Sequence, residues 1–474
     1  MSLSVIAYKD LQILPYQLVS IKELTLTKKV NDHARLRFTG IIPEDVKDAY
    51  VKMTESNTAI ELNQIDGQGN PIPLFKGVVL DIEVHTIRDV YYIEIAAASH
   101  SYLLDIKRKD RSFQHKEMTY ATLLQQVGAA YPGMDSKDEV TKGAKLGQFT
   151  MQYQETDWQF LKRMASRFNA VLVPAVIFDK PKLHFGVPDG SYRGQLENYH
   201  YVARKKLSDF LHYTENGNQG IEENDFIYYE VETDEVFEIG DQVSFKQESL
   251  VVSEVATSMK DGLLKHHYTL SSKKGMNRSE MYNQAVLGLS IEGKVIAVAK
   301  DHVKVHLAID DTQDQGQAHW FLYSTMYTAE GHSGWYCMPE LNDYVQIYFP
   351  THQEADGIAS SSIRKNIESS QTNKLDDPAV KYFRTAFGKE LMMSPNEIVI
   401  TAKDGDVYIR RNEQNGIEIF SKQEIKIVSG ADISVNSSKK ILMSAAEEIS
   451  LTCKDSKITM DGSVEIFGKE VKAN

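Results

Sequence analysis

The chain is 474 residues long, with 42% apolar and 25% charged residues, a composition that excludes collagen-like, mucin-like and wholly disordered classes. Lysines and arginines number 53 against 66 aspartates and glutamates, and the resulting net charge of -13 disfavours nucleic acid and acidic membrane surfaces as partners. No apolar run approaches the roughly 20 residues that span a bilayer. Lys9 and Asp10 interrupt the N-terminus before a signal-peptide core forms, which predicts synthesis in the cytoplasm without an export signal, and Cys337 and Cys453 are too isolated for a disulfide framework or a cysteine zinc site.

In chain order, the first hundred residues alternate apolar and polar side chains, as at 34–39 (ARLRFT) and 90–96 (VYYIEIA), which predicts β-barrel or sandwich packing. Two helices interrupt the strands. Thr119 can cap a helix over 120–130, and Thr156 or Asp157 can cap one that carries Trp158, Leu161, Met164, Ala165 and Phe168 on one stripe. Glu155 and Asp157 accordingly read as helix-start residues, serving the cap and the dipole. Strands resume at 170–174. His266 and His267 are adjacent on a strand pattern, point to opposite faces and cannot chelate one metal together. The acidic residues of 222–235 lack the spacing of a calcium loop.

The segment 293–309 (GKVIAVAKDHVKVHLAI) predicts a β-hairpin turning near Lys300 and Asp301, followed by strands around 319–321 (HWF) and 334–350 (GWYCMPELNDYVQIYFP). Together they predict a small closed barrel of the oligonucleotide/oligosaccharide-binding type over about 285–365. The string 288–294 (GLSIEGK) comes nearest to a phosphate loop, but Val295 stands where magnesium needs a hydroxyl, and no GxSxG, HExxH or GxGxxG occurs. No catalytic, cofactor or metal residues emerge, and residues 366–397 are too few for an inserted enzyme domain and read as a linker.

The last 77 residues, 398–474, hold a repeat: nine apolar-x-apolar triplets, of which the central five recur every eight residues. These pair Ile417 with Ile419, Ile425 with Ile427, Ile433 with Val435, Ile441 with Met443, and Ile449 with Leu451. In a strand, positions i and i+2 share a face, so each repeat turns two apolar side chains the same way. Three identical chains winding about one axis bring all of these pairs into a dry centre, and nine layers stack to a rod on the order of 40 Å. A meander of short antiparallel strands packed on the preceding domain is the alternative reading of the same triplets.

The order of 293–295 (GKV), the 301–305 strand (DHVKV), 319–321, 334–349 and an octad repeat resembles the spike proteins of contractile injection systems, the VgrG and phage tail-spike family. Residues 152–163 (QYQETDWQFLKR) are similar to the Q-Y-x-E-(S/T)-D-x-x-F-L-x-R signature of the tail-hub domain in that family, which extends the resemblance over nearly the whole chain. Asn342 departs from the glycine that many relatives carry before the last barrel strand.

The resemblance implies a mainly β fold with minor α, in a homotrimer. Its parts are a hub at 1–280 with tandem barrels at about 1–100 and 175–280 around a helical insertion at 101–174, an OB-type barrel at 285–365, and a C-terminal triple-stranded β-helix, or prism, at 398–474. It further implies a non-enzymatic hub and membrane-puncturing needle, assembled in the cytoplasm and delivered in an injection particle. The implied partners are the tail tube protein, baseplate proteins, a small tip-capping protein and effector cargo, with no nucleic acid. A type VI secretion apparatus, an extracellular injection particle and a phage or bacteriocin tail all use this class. The rival is a polysaccharide-binding or depolymerising fibre, against which the repeat offers Tyr408 as its only outward aromatic for stacking on sugar.

Overall fold

The structure, a computed structural model, describes residues 6–197, 200–215, 220–260, 262–329, 333–363, 365, 377–403, 405–470 and 472. The chain divides into two compact units, Met1–Asn366 and Ile367–Asn474.

The first unit is organised by a 12-stranded sheet. Alternation dictates its faces: the strand Ser20–Lys29 buries Leu24, Leu26 and Lys28 and turns Glu23, Thr25 and Lys29 outward. The barrels expected at 1–100 and 175–280 are joined edge to edge in this one sheet, because Ser20–Lys29 of the first half pairs antiparallel with Glu248–Lys260 of the second. Each half keeps its own core. Leu36, Phe38, Ile60 and Phe75 pack under the first, and Val231, Phe237, Val252 and Leu270 under the second. An open edge would leave ladder donors and acceptors unpaired, and the shared seam pairs them.

Between the halves lies the insertion. Thr119 Oγ1 accepts from Thr122 N and starts the helix Tyr120–Gly128. Thr156 Oγ1 accepts from Gln159 N while Gln159 Oε1 accepts from Thr156 N, a reciprocal capping box that starts the helix Asp157–Ser166. Trp158, Leu161, Met164 and Ala165 of that helix are buried, as its stripe predicts, whereas Phe168 is half-buried against this core. The insertion runs past the expected limit of 174. Lys182–Phe185 pairs with Leu172–Pro174 and Asp135–Asp138, and Leu183 and Phe185 are buried in the insertion's core. A further helix, Leu207–Glu215, lies in the second half.

Residues 290–363 form a closed five-stranded barrel in the order Ser290–Ala299, His302–Leu307, Trp320–Tyr323, Ile358–Ile363, Tyr344–Tyr348. Its third and fifth strands in the chain run parallel and all other neighbours antiparallel. Val303, Val305, Phe321, Val345 and Ile347 fill the centre, and Phe149 and Met151 of the insertion join the same core. Asn342 has φ 75, a left-handed conformation that asparagine tolerates better than most residues. At Gly293 a Cβ would lie 2.3 Å from Val305 Cγ1, so the first barrel strand can cross the second only without a side chain there.

In the second unit, Lys381–Arg384, Glu390–Met393, Glu397–Lys403, Val407–Asn412 and Gly416–Ser421 form a five-stranded antiparallel meander, and Ile449–Cys453, Ser456–Met460 and Val464–Phe467 a three-stranded one. The linker expected at 366–397 is corrected over its second part, where 381–384 and 390–393 alternate well enough to pair as strands; residues 366–376 lie outside the described residues. The end triplets thus pair antiparallel within one chain, as the alternative reading of the repeat has it, and residues 422–448 carry no strand.

Candidate functional site

The residues of the hub signature gather into a buried charge network. Asp157 opens its helix, yet it does not cap it; Thr156 does. The Asp157 carboxylate is fully buried and accepts from Arg111 Nη2 at 2.7 Å, Tyr131 Oη at 2.7 Å, Gln152 Nε2 at 3.0 Å and Lys109 Nζ. Glu155 likewise exceeds a helix-start duty, since both its oxygens accept from Arg163, at 2.8 and 2.7 Å. Two turns of helix separate the partners, so the signature spacing is that of a bidentate pair folded back on its own helix.

Arg163 reaches further. Its Nη1 lies 2.8 Å from Glu354 Oε1, and Arg167 Nη2 lies 2.9 Å from Glu354 Oε2. Glu354 follows the fourth barrel strand in the chain and is 3% exposed. Burial pushes its carboxyl up, while the two guanidiniums pull it down. A second clasp lies at the opposite strand of the insertion: Asp310 accepts from Ser112 N at 2.6 Å and from Ser112 Oγ at 2.5 Å, Gln114 Nε2 donates to Val305 O at 3.1 Å, and Gln114 Oε1 accepts from His319 N at 3.0 Å. These contacts hold the barrel to the insertion through paired charges and a shared apolar core.

One arrangement has the order of a nucleophile, base and acid: His33 Nδ1 is 2.9 Å from Ser101 Oγ and its Nε2 is 3.3 Å from an Asp105 oxygen. Ser101 is 2% exposed, so substrate cannot reach its oxygen. The ring packs on Trp158 with centroids 4.4 Å apart, and Asp105 also accepts from the Thr156 hydroxyl. The geometry orients the helix start against the sheet. Burial holds His33 below its ordinary pKa, with Asp105 opposing.

His266 and His267 lie on opposite faces, the first buried and the second exposed. Glu223, Glu230 and Glu232 pair with Lys205, Arg204 and Lys265. Among the described residues no group of three or more His, Cys, Asp or Glu is placed to hold a metal ion, and no helix is long and apolar enough to cross a membrane.

The ten octad residues are placed on the surface of the single chain. Ile417, Ile419, Ile425, Ile427, Ile433, Val435, Ile441, Met443 and Leu451 are each at least half exposed, Ile427 reaching 77%, and Ile449 is half-buried. Ile417 and Ile419 lie on Gly416–Ser421, Ile449 and Leu451 on Ile449–Cys453, and the other six on no strand. The chain brings none of them into a core. Sequence spacing located this surface and missed the Arg163–Glu354 clamp, whose partners are 191 residues apart.

No protein-family model and no curated protein matches the chain. Among solved structures, the E. coli c3393 protein, a component of the type VI secretion system with structural similarity to T4 bacteriophage tail proteins gp27 and gp5, matches with a TM-score of 0.54 at 13% identity, over 75% of this chain and 99% of that one. The Francisella PdpA-VgrG complex matches in its half-lidded form with a TM-score of 0.54 at 10% identity, over 86% of this chain and 87% of that one. Its lidless form matches with a TM-score of 0.53 at 10% identity, over 84% and 93%. At these identities the likeness is one of fold.

Proposed function

We propose, from this shared fold of VgrG and tail-spike proteins, that the chain is the structural hub and spike of a contractile injection apparatus and works as a homotrimer. Residues 1–280 seat on the tail tube, the barrel braces them, and residues 398–474 wind with two further copies into a prism that leads into the target envelope. The closed five-stranded barrel supports this reading, in which it is of the OB type.

The observation that carries the proposal is the exposure of the octad residues. Between residues 377 and 472 Val399 is the only buried apolar side chain among the described residues. A segment of this length with so little buried apolar surface cannot offset its conformational entropy alone. Two more copies in the same register cover the exposed columns, because a fixed eight-residue step returns each pair to the same side of every layer. Tube and baseplate proteins, a small protein over the last layers and effector cargo are the further partners of this reading.

Light scattering after size exclusion of the full chain tests it. A mass of about 161 kDa, three times 53.7 kDa, is expected, and a monomer at every concentration overturns the reading. Co-purification of a tail tube protein from producing cells tests the seat.

A further inference from the structure

An open cleft of about 650 Å³ lies where the third barrel strand runs out into the segment 324–338. Tyr323, Trp335 and Tyr336 bring rings to it, Ser324 and Ser333 bring hydroxyls, and Asp301 brings a carboxylate. Among the described residues no lysine or arginine lines it. Trp335 is 51% exposed and Tyr336 75%, whereas Phe321 and Phe349 of the same barrel are buried. So much ring surface in water is a cost that a bound ligand removes. The rings stand on backbone that is already fixed. Thr328–Ala329 pairs antiparallel with Ser333–Gly334, and a Cβ on Gly334, at φ 136, would lie 2.7 Å from Thr328 Cα. Trp335 N donates to Tyr327 O at 2.7 Å, the Thr325 hydroxyl donates to Trp335 O, and Tyr336 Oη donates to Lys300 O at 2.8 Å. Groups held in place before binding lower the ordering cost of capturing a ligand.

We propose that this cleft binds an uncharged oligosaccharide. A pyranose ring presents apolar C–H faces and a rim of hydroxyls. The faces suit Trp335 and Tyr336, and the rim suits Ser324, Ser333 and Asp301, whose oxygens accept from sugar hydroxyls. One Asp301 oxygen lies 2.7 Å from His302 Nδ1, which leaves the other for the ligand. The lack of a lining cation disfavours phosphate, sulfate and acidic sugars, and the net charge of -13 adds to that. A lipid chain would cover the rings but leave the hydroxyls and the carboxylate without partners. The volume falls within the roughly 300–1,000 Å³ of small-molecule sites. The rings that the octad repeat lacks for stacking on sugar thus stand on the barrel, and the site does not depend on the trimeric reading.

The full chain is probed on an array of neutral hexose and N-acetylhexosamine oligomers printed beside acidic glycans and peptides, and the best neutral oligomer is then titrated in solution against tryptophan fluorescence. Saturable binding is expected, weakened about tenfold by Trp335→Ala and largely kept by Trp335→Phe. Trp320→Ala, which removes an exposed barrel ring outside the cleft, should leave the affinity unchanged. Trp335 is half exposed, so the urea midpoint of Trp335→Ala should match that of the parent chain. An array without a neutral-glycan hit overturns the proposal, and so do hits confined to acidic glycans or to peptides. Binding that Trp335→Ala leaves intact lies elsewhere on the chain and overturns the site. A change of light-scattering mass in Trp335→Ala makes the cleft a contact between copies and overturns it as well.

Discussion

His266 sits on the strand next to the seam, with Nδ1 2.8 Å from Thr257 Oγ1 and a buried Nε2 that has no hydrogen-bond partner among the described residues. Burial, helped by Lys28 and His267, lowers its pKa from 6.5 to about 4. The folded state therefore resists a proton that the unfolded state accepts: stability is intact above pH 6.5 and falls as pH drops from 6.5 towards 4. By pH 5 this one group costs about 2 kcal/mol. His319, also lowered to about 4 by burial, adds to the same window. Urea midpoints at pH 7 and pH 5 should show the loss, and His266→Gln should flatten it. Asp157 carries a second expectation at this scale. Asp157→Asn leaves Lys109 and Arg111 without their buried counter-charge and should lower stability by roughly 3 kcal/mol, read by denaturation at pH 7. Strand alternation alone separates the faces of His266 and His267, and helix signals alone place Asp157 at a helix start. That His266 is the buried one, and that four donors converge on Asp157, depends on strands far away in the chain.

The elements legible in the sequence are those whose signals are local. Thr119 and the Thr156–Gln159 capping box mark both insertion helices, and period-two alternation marks the 293–309 hairpin. The helix Leu207–Glu215 escaped because Phe210 and Tyr213 pack on Phe226, a short contact surface without a long periodic stripe. The strands Lys381–Arg384 and Glu390–Met393 escaped because four residues are too few for alternation to stand out. The junction of insertion and barrel was not legible, since Arg163 closes the 152–163 signature but nothing links it or Arg167 to Glu354 until the chain folds. Removing Glu354 leaves Arg167 without its buried counter-charge and Arg163 with Glu155 alone, so Glu354→Ala should cost roughly 3 kcal/mol. Calorimetry should show a lower first transition, with the barrel and the insertion no longer unfolding together. An unchanged thermogram would mean that the apolar core around Phe149 and Met151 suffices to hold them.

At the scale of the whole molecule, the first unit buries many large apolar side chains, whereas among the described residues of the second only Val399 is a buried apolar one. The 12-stranded sheet, the insertion and the barrel bury large side chains such as Trp158, Tyr268, Phe321 and Phe349, whereas the octad residues face outward from a single chain. On the trimeric reading, Ile425→Asp with Ile441→Asp places charges in the shared centre and should abolish the 161 kDa species or lower its melting temperature steeply. A trimer of that variant with unchanged melting would falsify the prism. What is periodic or contiguous can be read before the chain folds: the octad spacing, the strand alternation, the helix caps, and a motif order that resembles the VgrG and tail-spike family. The alternation and the caps hold in the structure because each depends on neighbours within a turn or a strand. The tertiary structure alone decided that the two expected barrels share one sheet through Ser20–Lys29 and Glu248–Lys260, and that the insertion extends to Phe185. It also decided that the signature's carboxylates serve a buried clamp reaching Glu354. The seam and the reach to Glu354 join residues more than a hundred positions apart, and what selects these pairings is the burial of apolar faces and the neutralisation of buried charge, neither of which leaves a period in the chain.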